Sequence, residues 1–325
     1  MSKVLVTGGS GFLGAYVVRD LAERGDEVVV YDISYPSGAM VNYLKSVIEK
    51  VKFIKGQLND LPTLIRTLKE EKVEKVVHSG ALFDPQFSLE QPYLTYKINV
   101  EGTLNVLESV RILGLEKIVH VSTIGVFPVK QYEPMDERHP VFLPTEGHPT
   151  GPYGASKAAC EIFGLTYYTF NKVNFIALRF SAIYGYGMRY PMYIKPMVEN
   201  SLRGLPVEFA TGGDMPRDYT YVKDCAQSIL MALDADDKDL KQRVFLISGG
   251  EVIKASEVAE VVKEVVPTAQ IKIGAGLSEF EKSDVKKRGK LDISAAVEQL
   301  KYQPQYNLKK GIQEYVELYK QYENL

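Results

Sequence analysis

Tyr153 and Lys157, four residues apart in the stretch YGASK, are the side chains of this sequence whose types and spacing best suit proton transfer. Positions i and i+4 lie on one face of a helix, so the two side chains are expected to be neighbours. A phenol has a pKa of about 10 and is a poor base at neutral pH, but a nearby ammonium favours the phenolate and lowers that pKa. Alone, such a pair is more often a surface feature, and its meaning depends on what the fold places beside it.

Further polar side chains are predicted at one edge of a sheet. The apolar run KIVHVS is typical of a buried strand and ends in Ser122, which Thr123 follows, while Asn99 opens a long helix after the preceding strand. Ligands bind at the carboxyl ends of the strands in doubly wound parallel sheets. Because neighbours at a strand end point to opposite faces, one of the two hydroxyls faces such a ligand and the other does not.

A glycine-rich loop, TGGSGFLG, follows the first strand and opens the first helix. Glycines spaced GxxGxxG permit the turn, let the backbone approach a pyrophosphate and let helix and strand pack closely. The helix N-terminus adds free N–H groups and a partial positive charge. The loop is therefore predicted to bind a dinucleotide through its glycines and the first helical residues, namely Gly8, Gly11, Phe12, Leu13 and Gly14.

An acid at the end of the second strand, Asp32 in VVVYDIS, indicates which dinucleotide is bound. A carboxylate there accepts hydrogen bonds from both adenosine-ribose hydroxyls and repels a 2′-phosphate. No Arg or Lys stands among the three residues that follow it. The cofactor is therefore predicted to be NAD rather than NADP; the alternative, a solvated loop acid, is disfavoured by the strand–loop–helix context.

The elements that position these residues alternate along the first half of the chain. Short apolar runs such as KVLVTG, EVVVYD and NFIALRF are separated by helical patterns. Strands that are apolar on both faces, with helices between them, predict a parallel sheet covered on both sides, and right-handed crossovers make it doubly wound. We expect an α/β, Rossmann-type fold with an NAD-binding domain over 1–184, to which 219–250 return, and a smaller, mainly substrate-binding region over 185–325.

The composition argues against several kinds of partner. Apolar residues make up 45% and charged residues 25% of the 325, an ordinary balance for a globular protein, and the net charge of −2 argues against nucleic acid and anionic membranes. The N-terminus enters a strand without a secretion signal, and no apolar run approaches membrane-spanning length. With two isolated cysteines and no metal-ligand spacing, we expect a cytoplasmic protein that binds a small-molecule substrate and no metal.

Taken together and in this order, the motifs resemble the extended branch of the short-chain dehydrogenase/reductase superfamily, the NAD-dependent epimerase/dehydratase family. The resemblance covers nearly the whole chain and includes NVEGTLNVLE and RDYTYVKD. It implies that Tyr153 is the general acid/base and that Lys157 lowers its pKa and holds the nicotinamide-ribose hydroxyls. It also implies that Thr123 hydrogen-bonds the reacting oxygen and that Asn99 is a structural and proton-relay residue, while hydride passes between the substrate carbon and the nicotinamide.

The same resemblance implies cofactor contacts after the third and fourth strands. In IKGQLND the family often has an acid where this chain has Gln57, a departure, and Leu58 follows it. The loop HSGALF corresponds to one that lines the cofactor, with Gly80 and Ala81 as the contacts. His78 in that stretch is expected to be a packed, non-catalytic residue at the strand end.

Substrate residues follow less directly from the family pattern. Relatives that act on nucleotide sugars carry Asn where LRFSA has Ala182, and their Arg-x-Gly-Asp stretch is not recognisable in EKSDVKKRGKLD. Arg217 matches a phosphate-contacting arginine, and Arg288 is a candidate for a second one. The substrate-binding residues predicted on this basis are Thr123, Phe83, Ala182, Arg189, Arg217 and Arg288.

Two loops are expected to shape the substrate pocket. YGYGMRYPMY contains Arg189, which is either an anion or hydroxyl contact or a solvated loop residue. A long Pro-rich segment precedes Tyr153, and loops of that length are often functional. Its histidines, His139 and His148, are not expected to be catalysts.

Three functions stay open at this point. The first is a dehydrogenase acting at a secondary alcohol of a sugar, sugar acid or similar polyol; it is preferred because a diphosphate needs more donors than this chain offers. The second is a UDP-hexose 4-epimerase, which reduces and reoxidises a tightly held NAD. The third, a dinucleotide-sensing regulatory protein, is disfavoured by the intact Tyr153, Lys157 and Thr123.

Two further expectations come from the same comparison with the family. The acid pair that dehydratases carry after the catalytic Thr is Ile124 and Gly125 here, which argues against dehydration. The helices around INVEGTLNVLESVRILG and SKAACEIFGLTYYTF carry more apolar residues than one buried face needs. Relatives commonly pair these helices, so a homodimer is expected.

Overall fold

A seven-stranded sheet, parallel throughout, forms the centre of the molecule in the order β3-β2-β1-β4-β5-β6-β10. Strand order reverses between β1 and β4, and such a reversal opens a crevice at the carboxyl ends of the strands. The strands that the structure describes are β1 Lys3–Thr7, β2 Glu27–Asp32, β3 Val51–Lys55, β4 Lys75–His78, β5 Lys117–Thr123, β6 Phe175–Phe180, β7 Ala182–Tyr184, β8 Val207–Phe209, β9 Pro216–Tyr221, β10 Val244–Ile247, β11 Val252–Lys254 and β12 Ile271–Ile273. The predicted doubly wound, Rossmann-type fold is confirmed.

The structure is a computed structural model of the chain, and it describes residues 1–142 and 151–323. The segment 143–150, which contains His148, lies outside the described residues, as do the last two residues. Within the described ranges, no helix combines the length and apolar character needed to cross a membrane.

Helices cover both faces of the large sheet, because its central strands are buried on both sides. All six residues of β6, for example, are buried. The helices described are α1 Phe12–Arg24, α2 Ala39–Leu44, α3 Leu61–Glu70, α4 Pro85–Glu90, α5 Pro92–Tyr96, α6 Gly102–Leu113, α7 Pro152–Asn171, α8 Ile194–Leu202, α9 Val222–Asp234, α10 Ala255–Val265, α11 Glu279–Val285 and α12 Leu308–Glu323. α6 packs between α3 and α7 on one face, and α1 packs against α9 on the other.

After β6 the chain leaves the large sheet and builds a smaller region. Strands β7, β9 and β11 form a three-stranded sheet, β8 pairs with β12, and α8 packs with α10 and α12. The chain then returns to the first part, because α9 packs on α1 and β5 while β10 pairs with β6. Residues 185–325 therefore contribute to both parts of the molecule.

Several short elements lie outside what the sequence patterns predict. These are α2, α4, α5, α11, β7, β11 and β12, each of seven residues or fewer, which is too short to show a helical or strand periodicity in the sequence. A second difference lies ahead of α6, where the predicted helix begins with a π-helical turn, Lys97–Glu101. Such turns are frequent at functional sites, and this one contains Asn99.

Candidate active site

The loop between β1 and α1 has a shape that depends on its glycines. Gly8 has a φ of +70°, in the left-handed region, and a Cβ on it would lie 2.7 Å from the backbone of Gly80 in the loop after β4. A Cβ on Gly14 would lie 2.1 Å from the carbonyl oxygen of Gly8. Gly11 precedes α1 and offers no capping side chain, which leaves the first N–H groups of the helix to an anion.

Asp32 lies at the end of β2 beside this loop. Its carboxylate accepts a hydrogen bond from the Ser10 N–H at 3.1 Å, and the Ser10 hydroxyl donates to the Ser34 carbonyl at 2.8 Å. The carboxylate is only partly buried, so its other lone pairs can accept hydrogen bonds from ribose hydroxyls. Together with the glycine loop and the first turn of α1, where Phe12 and Leu13 lie, this set of donors and acceptors fits NAD.

The loops after β3 and β4 reach the same edge of the sheet. Leu58 packs so closely against Gly102 that a Cβ on Gly102 would lie 2.7 Å from the Leu58 Cβ. The Leu58 carbonyl accepts a hydrogen bond from the Asn105 side chain at 2.9 Å. The Gly80 N–H donates to the Thr7 hydroxyl at 3.0 Å, and the partly buried Ala81 follows. Gln57 has an exposed side chain, while its carbonyl accepts from the Tyr31 hydroxyl at 3.1 Å.

His78 is a fixed, neutral residue beneath these loops. Its Nδ1 lies 2.8 Å from the Thr7 hydroxyl and its Nε2 lies 2.9 Å from the Thr103 hydroxyl. Burial, with the nearby charge of Lys157, lowers the pKa of His78 to about 3. A ring held in this way positions β1, β4 and α6, in accord with the packed role expected for it.

Ser122 and Thr123 point to opposite faces of the end of β5. The Ser122 hydroxyl donates at 2.5 Å to the carboxylate of Glu161, which is buried in an ion pair with Arg179 at 2.7 Å. Thr123 is partly exposed, and its hydroxyl oxygen accepts from the Gly125 N–H at 3.0 Å. Because Ser122 belongs to this buried network, Thr123 is the hydroxyl at this strand end that can face a substrate.

Asn99 uses its side-chain amide to hold two parts of the site together. Its Oδ1 accepts from the Leu82 N–H at 2.7 Å, and its Nδ2 donates to the Leu82 carbonyl at 3.2 Å and to the Ser156 hydroxyl at 2.9 Å. The residue thereby ties the loop after β4 to the first turns of α7. These contacts give Asn99 a positioning role, and its part in a proton relay stays a prediction.

Tyr153 and Lys157 lie in the first two turns of α7, which packs against the short helical turn after Thr123. Lys157 is buried, and burial lowers the pKa of its ammonium. Burial also raises the pKa of Tyr153, which is the opposite of the direction expected from the sequence. The physical reason is that desolvation disfavours the charged form of each group, the phenolate of Tyr153 and the ammonium of Lys157.

Two arginines meet one carboxylate at the other side of this edge. Arg217 on β9 lies 2.8 Å from the Asp284 carboxylate of α11, and Arg288 lies 3.7 Å from its other oxygen. Arg288 also donates to the Ile124 carbonyl at 3.3 Å, directly after Thr123. The predicted pair of arginines is thus brought together next to the end of β5, with an acid between them.

A second acid lies close to the same arginines. Glu281 is buried and accepts hydrogen bonds from the Tyr193 hydroxyl and from Ser278. Burial alone would raise its pKa, but these hydrogen bonds and the charge of Arg217 hold the pKa of Glu281 below its usual value. The carboxylate is therefore ionised at neutral pH, and it adds a second negative charge near Arg217.

The other predicted substrate residues, Phe83, Ala182 and Arg189, lie in different surroundings, and Phe83 is the one with a ring contact to Tyr153. Phe83 contacts the site directly, with its ring centroid 5.1 Å from that of Tyr153. Ala182 lies on β7 opposite Tyr219 and is partly exposed. Arg189 is exposed, and the structure gives it no ion pair among the described residues.

Three residues of this site are not found by sequence reasoning: Asp284, Glu281 and Tyr190. The Tyr190 ring centroid lies 6.2 Å from that of Phe83. A signal was present for Asp284, since an acid four residues before Arg288 is suitably spaced for an i, i+4 pair. No cluster of three or more potential metal ligands occurs in the part of the chain that is described.

Comparison with known proteins gives one family and one fold. The chain matches the family described as NAD dependent epimerase/dehydratase over residues 4–248. It is 27% identical to a UDP-glucuronate 4-epimerase of Thermodesulfobacterium geofontis, over 96% of this chain and 94% of the relative.

Solved structures agree over nearly the full length. The UDP-glucose 4-epimerase of Thermus thermophilus, in complex with NAD, is 28% identical with a TM-score of 0.81, over 98% of this chain and 99% of that one. The UDP-glucose 4-epimerase of Thermotoga maritima, with UDP-glucose, is 25% identical with a TM-score of 0.83, over the same shares of the two chains.

Proposed function

Because the chain belongs to the NAD-dependent epimerase/dehydratase family and is an enzyme that uses NAD, we propose that it oxidises a secondary alcohol of a sugar, sugar acid or similar polyol that carries no nucleotide. The same site catalyses the reverse reduction of the ketone. The choice of a substrate without a nucleotide rests on one observation, namely that acidic side chains already offset the positive charges of Arg217 and Arg288.

In this cluster the two arginines are matched by Asp284 and Glu281 before any substrate binds. A diphosphate brings about two negative charges, and each needs donors when it leaves water. To meet it, Arg217 would exchange an existing ion pair, and the phosphates would lie near two carboxylates. A neutral or singly charged hydroxylated compound requires no such exchange, and Ala182 adds no donor of its own.

Each residue of the site has a distinct role in such an oxidation. NAD, when bound, supplies the hydride acceptor. Tyr153 removes the hydroxyl proton of the alcohol, and the Thr123 hydroxyl donates a hydrogen bond that orients the same oxygen. The Lys157 ammonium holds the nicotinamide-ribose hydroxyls and opposes the effect of burial on the phenolate, while Asn99 fixes α7 and the loop after β4.

A second candidate is a UDP-sugar 4-epimerase, which the names of the similar proteins favour. In that reaction the sugar carbon is oxidised and then reduced on its other face, so no free NADH leaves the enzyme. The outcome depends on whether the Arg217 cluster accepts a diphosphate. The two candidates therefore differ in both substrate and released product.

The deciding experiment is a screen of sugars, sugar acids, polyols and nucleotide sugars that follows both NADH absorbance and product stereochemistry. Our proposal predicts NADH release with a compound that lacks a nucleotide. Interconversion of a UDP-hexose pair at the 4-position without NADH release would instead establish the epimerase. NAD binding without turnover of any compound would favour a dinucleotide-sensing protein.

We also propose that the chain forms a homodimer. Apolar side chains on α6 and α7 are exposed, among them Ile112, Ile162 and Phe170. Exposed apolar side chains on adjacent helices favour association with a second copy. Light scattering is expected to report a dimer for the wild type and a monomer for Ile162→Glu, while Leu205→Glu, at an exposed apolar residue in a different segment, stays dimeric.

A further inference from the structure

Three aromatic rings from three separate segments lie together, and one of them belongs to Tyr153, the proposed proton acceptor. The Phe83 centroid lies 5.1 Å from the Tyr153 centroid with the planes at 75°, and 6.2 Å from the Tyr190 centroid with the planes at 71°. Phe83 follows β4, Tyr153 begins α7, and Tyr190 lies in the loop after β7. Edge-to-face contacts of this kind fix ring orientation.

Phe83 and Tyr190 are nevertheless exposed. Phe83 keeps 56% of its surface accessible and Tyr190 keeps 39%. Each ring uses its edge or one face in the contact with its neighbour, so the remaining surface is open to solvent beside Tyr153. A large apolar surface beside a catalytic group is typical of ligand pockets, which are lined mainly by apolar and aromatic side chains.

The backbone around Phe83 is held on both sides. The preceding residue, Leu82, has both its N–H and its carbonyl bonded to the Asn99 side chain, at 2.7 and 3.2 Å. The following residue, Asp84, caps α4 by accepting from the Phe87 N–H at 2.9 Å. An exposed ring on a fixed backbone is pre-organised, which lowers the entropy cost of binding.

We propose that Phe83 and Tyr190 form a substrate-binding aromatic pair that receives the flat C–H face of a cyclic sugar. This inference rests on the proposed function and narrows it to a pyranose ring rather than an open-chain polyol. A pyranose carries its hydroxyls around the rim and C–H bonds on its faces, and the face of an aromatic ring carries partial negative charge that attracts C–H bonds. An acyclic polyol has no lasting apolar face, and ordering its rotors costs entropy.

The chain contains no tryptophan, so a single introduced Trp reports on this pair alone. The reporter is Phe83→Trp in a Tyr153→Phe background, which keeps the ring of residue 153 and blocks turnover. With NAD present, the protein is titrated with methyl β-D-galactopyranoside or with galactitol, an acyclic polyol of related hydroxyl configuration. The matched control is Phe170→Trp in the same background, at an exposed site at the far end of α7.

We expect a saturable change of Trp fluorescence with the pyranoside, binding about tenfold weaker for galactitol, and loss of the response when Tyr190→Ala is added. Equal binding of galactitol, no saturable response to the pyranoside, or the same response at position 170 would overturn the inference. Because the fluorescence measures binding without turnover, this experiment tests the aromatic pair independently of the proposed oxidation. Oxidation in the wild type with a silent reporter rejects only the aromatic pair, and a responsive reporter without oxidation of any nucleotide-free compound rejects only the proposed reaction.

Discussion

Arg217 and Asp284 form an ion pair of 2.8 Å between β9 and α11, with both side chains largely shielded from water. Arg288 shares the same carboxylate at 3.7 Å. The guanidinium that the family pattern assigns to phosphate is thus already engaged with an acid of its own chain. If the substrate binds beside Arg217, as proposed above, the charge it meets depends on Asp284 as well as on Glu281.

Replacing Asp284 by Asn should strengthen the binding of a nucleotide diphosphate. The change frees Arg217 and removes a negative charge close to where the phosphates would lie, and partial exposure limits the gain to about tenfold in Kd for UDP-glucose. Calorimetric titration with NAD present measures the effect. The control is Glu279→Gln on the same helix, whose side chain is 89% exposed and which should change nothing. Unchanged affinity in the Asp284 variant would show that this carboxylate does not control anion binding.

Replacing Tyr153 by Phe should lower turnover by about 10²–10⁴-fold while NAD binding is largely kept. The ring remains in its contact with Phe83, and only the group that carries the proton is lost. Steady-state rates and NAD titration measure the two effects. Tyr167→Phe is the matched control, since it removes from the same helix a hydroxyl that donates to Glu108 at 3.1 Å and lies outside the candidate site. Near-normal turnover of the Tyr153 variant would remove this residue from the mechanism.

Replacing Asp32 should reduce discrimination between NAD and NADP. Asp32→Asn retains an oxygen that can accept from the Ser10 N–H, so it removes the charge and leaves the loop contact. Asp32→Ala removes both. We expect the ratio of kcat/KM for the two cofactors to fall in both variants, with NAD binding weakened more by Ala than by Asn. A wild type that used both cofactors with similar efficiency would contradict the assignment of NAD to this carboxylate.

The stability of the fold should depend on pH through His120. Burial and the nearby charge of Lys157 lower the pKa of His120 well below its usual value, and neither ring nitrogen has a hydrogen-bond partner among the described residues. In the unfolded chain His120 binds a proton as the pH falls through about 6.5, whereas in the folded chain it stays neutral. The stability that comes from keeping His120 neutral is therefore fully present above about pH 6.5 and is lost as the pH falls.

His120→Leu tests this dependence. Its free energy of unfolding should fall less between about pH 8 and about pH 5 than that of the wild type, and at pH 8 it should be equal or higher because an unpartnered polar group has been removed. Asp20 and Asp218 have pKa values raised by burial to about 6 and act in the opposite direction, so the difference between the two proteins isolates the histidine. Denaturant titration at both pH values measures it, and parallel losses in the two proteins would refute the assignment.

Much of the fold and the cofactor side of the site could be predicted because local patterns determine them. The alternation of buried strands and helices predicts the sheet, and the GxxGxxG loop with Asp32 depends on backbone geometry within two neighbouring strand–loop units. The choice of Thr123 over Ser122 rested on its match to the family pattern, and the pleat of the strand allowed only one of the two hydroxyls to face a ligand. The structure places Ser122 in a buried network with Glu161, which agrees with that choice.

The substrate side could not be predicted in the same way, because its residues come from distant segments. Asp284 and Arg217 are 67 positions apart in the sequence, and no local sequence pattern predicts that they form an ion pair. Phe83 meets Tyr190 only because two loops converge at one edge of the sheet. The direction of the Tyr153 pKa shift also depends on how strongly burial desolvates the phenol, which the spacing of residues along a helix does not reveal.

The path of the chain through the large sheet has a consequence for its synthesis. β6 is buried on both faces, yet its outer neighbour β10 begins only at residue 244, after the strands and helices β7 to α9. While a ribosome adds residues 181–243, the nascent chain holds an apolar strand with one row of unpaired backbone groups, the kind of edge that recruits other chains. The large sheet of this enzyme is therefore complete only once residue 247 has been made, and a chain cut at residue 184 would retain an open, aggregation-prone edge.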